Sequence, residues 1–514
     1  MKTFSSNSFA GGMNDWIHPT LLESNIASKL VNANVSDGKL VPIQRPVFLS
    51  SDPPTAYGHY GTKDRSAVKY NGRHYWSNNS ASASPYYGGT PENYLGVPYP
   101  AKYTISTTST VSNRVVFDLT TASLVESARL TGKYKYCVTY VTTNGWESAP
   151  GSLTEYEFEA TLEGKNPTIK VYYASGQDIV KAKIYRTTDH GAEFYHIGTV
   201  GGTSLADRTF YDLVSDEEAV LNNPLTSQDN YPPPDGGKYL CENGGVFFLA
   251  VGSLLYFSSV GNPHAWPTTQ FIAFDDVITG ITPEFQGVLV FTRNNVYRVI
   301  GADDAATVQK IYIPGNHGCV SWRSIAALNN APVWLSNDGI CLWDGNSITV
   351  PSYRVIKTEK SPENIRIAAT ANDSYYLFLR KETIVYDIRN GGIFYKLDFS
   401  FDYAWYDVSS GIFYLNNASG VYKYGSGSNL KMKYFSPYVG GNESAMKIFY
   451  EVYIVCSGAC ALDVSVDGVP LLENSLSVPA GRQRIKLPRQ AVGRYLALSV
   501  SSNERINEIQ VLYD

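Results

Sequence analysis

The chain has little charge, little sulfur and no long apolar run. Charged residues make up 17% of its 514 positions, below the ~25% usual in soluble domains. Its 42 Lys and Arg against 47 Asp and Glu leave a net charge of −5. A protein that grips DNA tightly needs clustered cations, so this balance disfavours that class. A weakly acidic wall would still let a duplex slide past. The six cysteines (Cys137, Cys241, Cys319, Cys341, Cys456 and Cys460) lie mostly in apolar runs and read as buried, reduced thiols. Cys456 and Cys460 flank a turn-like Ser457-Gly458-Ala459; a disulfide there is open but not required. No His or second Cys pair supplies a zinc set. No stretch approaches the ~20 apolar residues of a membrane span. Met1–Asn7 lacks the basic-then-apolar pattern of a signal peptide. The expectation is therefore folding in the cytosol, where the N-x-S sequons at Asn34, Asn78, Asn372, Asn417 and Asn442 carry no glycosylation.

Catalytic patterns are missing too. His18, His59, His74, His190, His196, His264 and His317 are scattered, without H-x-H or H-E-x-x-H spacing. No G-x-S-x-G elbow and no Walker loop occurs. The adjacent acids Asp275-Asp276, Asp303-Asp304 and Glu217-Glu218 do not form the spaced carboxylate pair of a glycosidase, because neighbours on a strand point to opposite faces. They read as solvated turns. Ser336-Asn337-Asp338-Gly339-Ile340-Cys341-Leu342-Trp343 is weakly similar to a sialidase Asp-box, with its glycine one position early, and reads as a hairpin turn. No catalytic residue, cofactor or metal site is expected.

What is abundant is aromatic and turn-forming: 39 Tyr, 43 Gly and 26 Pro, with aromatics at 13%. Tyr favours strands and sits well at wet boundaries. A strand-pair pattern then returns at a spacing of ~40 residues, the period of propeller blades. Gly245–Leu249 is followed by Leu255–Phe257, Gly287–Phe291 by Asn295–Val299, and Pro332–Leu335 by Gly339–Trp343. Ser374–Phe378 is followed by Thr383–Tyr386, and Gly411–Leu415 by Gly420–Tyr424. An isolated strand pair is marginal in water. Stacking such units in a ring buries their faces and leaves no long open edge.

The expected fold class is all-β: a β-propeller with an inserted fibronectin III/Ig-like β-sandwich and a C-terminal β-sandwich. Residues 1–50 read as an extended N-terminal arm, with 26–33 open between short helix and strand. Residues 51–125 carry first propeller strands and long loops. Among them, Ala67–Tyr70, Asn71-Gly72 and Arg73–Trp76 form a hairpin signal, and 79–100 reads as a long loop. Residues 126–228 form the inserted sandwich, from Lys133–Thr142 through Thr168–Tyr173, Ala182–Thr187 and Phe194–Val200 to Thr209–Asp212. Residues 229–430 hold the main blades, entered through Tyr231–Gly237. Residues 431–514 form the C-terminal sandwich. There, Arg482, Arg484, Lys486, Arg489 and Arg494 make the one local basic cluster, either a solvated strand face or a contact for nucleic acid or an acidic partner.

Two stretches resemble a known family. Phe9-Ala10-Gly11-Gly12-Met13-Asn14, with Pro19–Leu22, Ala33-Asn34 and Gly38–Leu40, resembles the opening of bacteriophage head–tail proteins. Val277–Thr282, Gly287–Thr292, Val296–Gly301, Gly318-Cys319-Val320-Ser321, Ser324-Ile325 and Trp334–Ile340 resemble the propeller core of short-tailed phage nozzle proteins, also called tail tubular protein B or packaged-DNA stabilisation proteins. The resemblance covers residues 1–50 and about 229–360. It implies a structural virion protein, without catalytic activity, assembled in the host cytoplasm into the virion tail. As a hexameric ring below portal and adaptor proteins it would line the DNA exit channel, touch passing double-stranded DNA non-specifically, help retain the genome and carry fibres or spikes. The motif residues Phe9, Gly11, Gly12, Asn14, Gly318, Cys319, Asp338 and Gly339 would serve assembly, and the N-terminal arm would order against neighbouring subunits. The competing classes are a propeller glycosidase or depolymerase acting on host surface polysaccharide, and a receptor-binding or head-decoration protein.

Overall fold

A computed structural model describes the chain outside residues 51–64, 80–85, 88–92, 96, 106–112, 121–128, 174–177, 203–207, 358–360, 390 and 442–443. Strand accounts for 52% of it and helix for 3%. The chain is all-β and propeller-like, with an inserted sandwich and a C-terminal sandwich. Two compact units divide it: unit 1 is Met1–Lys63, Thr282–Arg298 and Ile311–Asp514, and unit 2 is Asp64–Ile281 and Val299–Lys310.

Each repeated strand pair forms the middle of a four-strand, blade-like run, and the run over 365–397 continues through Lys29–Val31 and Met432–Phe435 into a ten-stranded sheet that includes strands of the C-terminal sandwich. Unit 2 holds the sheet Ser66–Tyr70, Arg73–Ser77, Tyr86–Tyr87, Asn93–Tyr94 and the sheet Lys238–Asn243, Val246–Val251, Leu254–Phe257, Phe271–Ala273. Unit 1 holds Ala326–Leu328, Ala331–Leu335, Ile340–Trp343, Ile348–Thr349, and then Ile365–Ala371, Ser374–Leu379, Thr383–Asp387, Ile393–Leu397. It also holds Tyr403–Asp407, Ile412–Asn417, Gly420–Lys423, whose fourth strand is Val47–Ser50 from the start of the chain. Gly287–Thr292 lies in unit 1, and the residue ranges of the strands Ile278–Glu284, Val296–Ile300 and Gln309–Ile313 run across unit boundaries.

Within each unit, successive sheets lie together through their first strands. Ser66–Tyr70 lies against Lys238–Asn243 in unit 2; in unit 1, Ile365–Ala371 touches both Ala326–Leu328 and Tyr403–Asp407. The middle strands are thus covered on both faces. Every residue of Ser374–Leu379 is buried, so these strands read as continuous apolar runs rather than alternating ones. Burying each large apolar side chain contributes about 1.5–3 kcal/mol. The Asn71-Gly72 signal is realised as a two-residue turn with φ of 46° and 77°, the geometry that matches strand twist.

Most of the loop expected over 79–100 lies outside the described residues. Tyr86–Tyr87 and Asn93–Tyr94 nevertheless pair as outer strands. Two-residue strands are too short to show a period.

The inserted sandwich packs two four-stranded sheets. One is Phe158–Lys165, Leu130–Thr142, Ile179–Arg186, Tyr195–Gly201; the other is Lys102–Thr104, Arg114–Asp118, Thr168–Tyr172, Thr209–Tyr211. The strands at 102–118, before residue 126, are integral to it, and their pairing is parallel. Tyr136, Val138, Phe117 and Ile169 fill the core. Arg186 is fully buried there, with Nη1 2.8 Å from Asp212 and Nη2 2.8 Å from Asp216. Tyr136 donates to the same Asp212 oxygen at 2.8 Å. Such pairing offsets the desolvation that an isolated buried charge would suffer.

Residues 1–50 are not a free arm. Lys2–Ser6 pairs with Ile506–Tyr513, Lys29–Val31 with Met432–Phe435, and the hairpin Ala33–Ser36/Lys39–Pro42 joins Ile506–Tyr513 through Leu40. The C-terminal sandwich is therefore built from both ends of the chain. The other unit 1 strands of this sandwich are Lys447–Cys456, Cys460–Val466, Val469–Pro470, Leu476–Val478, Gly481–Lys486, Val492–Gly493 and Leu496–Ser502. The segment 29–31 settles as strand. Its short runs are polar and turn-broken, so pairing partners over 400 residues away decide what they become.

His264 in unit 2 is 2% exposed, with ring centroids of Trp146 and Tyr75 at 5.2 and 6.2 Å. Burial, and then the Arg73 charge, lower its pKa from 6.5 to about 3. The unfolded chain takes up this proton below about pH 6.5 and the folded chain only near 3. Stability therefore falls as pH drops through that window, by about 1.4 kcal/mol per unit. Urea midpoints at pH 7.5 and 4.5 should show wild type losing roughly 2–3 kcal/mol more than His264→Phe. Equal losses in both proteins would remove His264 from the acid response.

Candidate functional site: a gripped turn between two blades

The resemblance residues fall into two groups, and one member of each, Asn14 and Gly339, touches the turn at 352–357 that joins two blades of unit 1. The first group is Phe9–Asn14. Phe9 is buried and packs edge-on against Tyr434, with centroids 5.2 Å apart. Gly12 has φ +64°, and a Cβ there would sit 2.8 Å from Ile393 Cβ; a Cβ at Gly11 would sit 2.5 Å from Ile26 Cγ1. Both glycines let the backbone approach closely. Asn14 Nδ2 donates to the Arg354 carbonyl at 3.2 Å, while its Oδ1 accepts from the Trp16 and Ile17 amides at 3.0 Å. Next to it, the Asp15 amide donates to the Val355 carbonyl at 3.0 Å, and Asp15 Oδ1 accepts from the Lys357 amide at 2.6 Å.

The second group lies on the preceding blade. Gly318 is close-packed: an added Cβ would sit 2.5 Å from Arg293 O. Cys319 is buried, its thiol 3.1 Å from the Ser321 carbonyl. Burial pushes that thiol up to about 12, so it is an inert packing group rather than a nucleophile. His317 Nδ1 and Asp338 Oδ2 are 3.0 Å apart, and Trp334 Nε1 donates to the His317 carbonyl at 2.7 Å. Gly339 has φ +143° and faces Ser352 Oγ, which accepts from the Ile340 amide at 2.6 Å. Of the eight motif residues only Asp338 is exposed. The other seven are buried or half-buried against other parts of this chain.

Lys396, Asp15 and Glu382 complete the grip. Lys396 Nζ lies 3.1 Å from each carboxylate. Burial alone would lower its pKa, but the two negative charges outweigh it and raise it. The sequence signal that escaped notice is a lysine inside the apolar run Ile393–Leu397, a position where an unpaired charge is costly.

The other candidates stay apart. Glu217 and Glu218 lie in the one-turn helix Asp216–Ala219, capped by Ser215. Asp275-Asp276 and Asp303-Asp304 lie outside strands. Among the described residues no group of three His, Cys, Asp or Glu is placed to hold a metal, and no helix is long and apolar enough to cross a membrane. Cys456 and Cys460 are free thiols with sulfurs 3.7 Å apart. In the basic cluster, Arg484 forks onto Glu451 at 2.7 and 2.5 Å, on a strand that ends its sheet path.

No family model and no curated protein matches the sequence. Among solved structures, the chain is similar to BamB from Moraxella catarrhalis at 11% identity, covering 60% of this chain and 97% of that one, with a TM-score of 0.25. It is similar to Hsv2 from Kluyvelomyces marxianus at 9% identity, covering 62% and 94%, with a TM-score of 0.25. A chain of the Nup82 NTD–Nup159 tail–Nup145N APD complex from Chaetomium thermophilum matches at 12% identity over 32% and 45%, with a TM-score of 0.22.

Gly12→Ala should therefore destabilise unit 1 by about 2–4 kcal/mol, combining a disfavoured φ with a clash. Gly72→Ala has φ +77° but nothing within 4 Å of the added methyl. It should cost only about 1 kcal/mol. Chemical denaturation of both variants checks the difference, and equal costs would refute the close-approach argument.

Proposed function

We propose that this protein is a structural component of a short-tailed phage tail. It forms the nozzle ring below portal and adaptor, lines the DNA exit channel, helps retain the packaged genome and anchors fibres or spikes. The observation that carries this reading is the motif set Phe9–Asn14 and Gly318–Gly339. Asn14 and Gly339, remote in sequence and each within a stretch that resembles nozzle proteins, both touch one inter-blade turn. A rigid joint of this kind suits a ring subunit that must bear load.

Two further features support the reading. Outer strands of the blades expose large apolar side chains, among them Phe48 at 52% and Tyr312 at 48% in unit 1, and Phe271 at 45% in unit 2. Exposed aromatics of this kind favour protein contacts. Among the described residues, the adjacent acid pairs Glu217-Glu218, Asp275-Asp276 and Asp303-Asp304 lie in a one-turn helix or outside strands rather than facing each other across a cleft, which favours assembly over glycoside hydrolysis.

Negative-stain electron microscopy of purified protein mixed with portal and adaptor should show six-fold rings, and immunogold should label the virion tail. Incubation with host capsule should release no reducing ends. A protein that stays monomeric in that mixture and is missing from virions would overturn the proposal.

A further inference from the structure

The outward face of the C-terminal sandwich carries a groove that the motif residues do not touch. Its floor is a cross-strand row. Phe435 pairs with Ser499 and Ser499 with Asp463, and Ala497 pairs with Ser465 beside them. The segment 470–475 forms the rim, adding Glu473, Asn474 and Ser475, and the space enclosed is about 550 Å³. That volume lies within the ~300–1,000 Å³ of small-molecule sites.

Apart from the Asn474 amide on the rim, the hydrogen-bonding side chains of the groove act as acceptors. Ser475 Oγ donates to Asp463 Oδ1 at 2.5 Å, and Ser499 Oγ donates to Asp463 Oδ2 at 3.0 Å. Both hydroxyl protons are spent on the carboxylate, so both serine oxygens are left as acceptors. Asp463 keeps further lone pairs, and Glu473, exposed on the rim, adds another carboxylate. Among the described lining residues none is cationic; the Lys29 ammonium lies 5.9 Å from the Phe435 ring centroid at its edge. The ligand that fits must bring several donors and no negative charge. The half-exposed Phe435 ring at one end offers an apolar surface, and the small residues Ala497 and Ser465 let a flat ring approach the sheet.

We propose that this groove binds a neutral saccharide, its hydroxyls donating to Asp463, Glu473 and the serine oxygens while a C–H face rests on Phe435. Polyhydroxylated rings combine many donors with an apolar face, and phosphate esters do not match an acidic, acceptor-rich groove. The inference does not depend on the nozzle reading.

The test uses the full chain with maltotriose, cellotriose and chitotriose, and with a hyaluronate oligosaccharide as the anionic comparison. Saturation-transfer NMR and calorimetry read binding. At least one neutral trisaccharide should bind saturably in the millimolar range or tighter, with the anionic one at least tenfold weaker. Asp463→Ala should weaken binding at least tenfold. Glu473→Gln, on the exposed rim where folding is not at stake, should weaken it severalfold with an unchanged melting temperature. Absence of binding by all three neutral sugars, or binding unchanged in both variants, would overturn the proposal.

Discussion

The structure depends on covering both faces of its middle strands. Ser374–Leu379 and Ile393–Leu397 have no solvated side, so neither strand could stand in an open sheet facing water. The apolar surface they carry is stable only when another sheet lies on each face. That requirement explains why the blades recur in series and lie together through their first strands.

The same constraint explains why the beginning of the chain returns to its end. A blade of three strands, Tyr403–Lys423, would leave an unpaired edge, and Val47–Ser50 fills that position. In the C-terminal sandwich, Lys2–Ser6 and Lys29–Val31 do the same for Ile506–Tyr513 and Met432–Phe435. Pairing between termini carries a large loop-closure entropy, but that cost grows only slowly with loop length. The gripped turn at 352–357 then ties the N-terminal segment to two blades with main-chain bonds, one buried lysine and two glycines that allow close contact.

This architecture separates two kinds of surface. Seven of the eight motif residues are buried or half-buried within unit 1. The outer blade strands and the outward face of the C-terminal sandwich are where side chains meet solvent. Cys319 illustrates the first kind: a thiol within a family-like motif, yet held too far up in pKa and too deeply buried to react. Asp463 illustrates the second, exposed and oriented by two hydroxyls.

The blade strands were legible in the sequence, because five runs such as Gly287–Phe291 with Asn295–Val299 carry apolar length, a tight turn and an aromatic within a few residues of one another. The inserted sandwich was legible for the same local reason: alternation over Lys133–Thr142 spans enough residues to show a period of two. The fate of residues 1–50 was not, since Lys29–Val31 becomes a strand through pairing with Met432–Phe435 on one side and Lys396 on the other. Nor was the meeting of Asn14 with Arg354, or of Lys396 with Asp15. Local pattern determines which segments extend and where they turn. Tertiary packing alone decides which distant segments share an edge or a charge, because those bonds join residues hundreds of positions apart that carry no mark of each other in the chain.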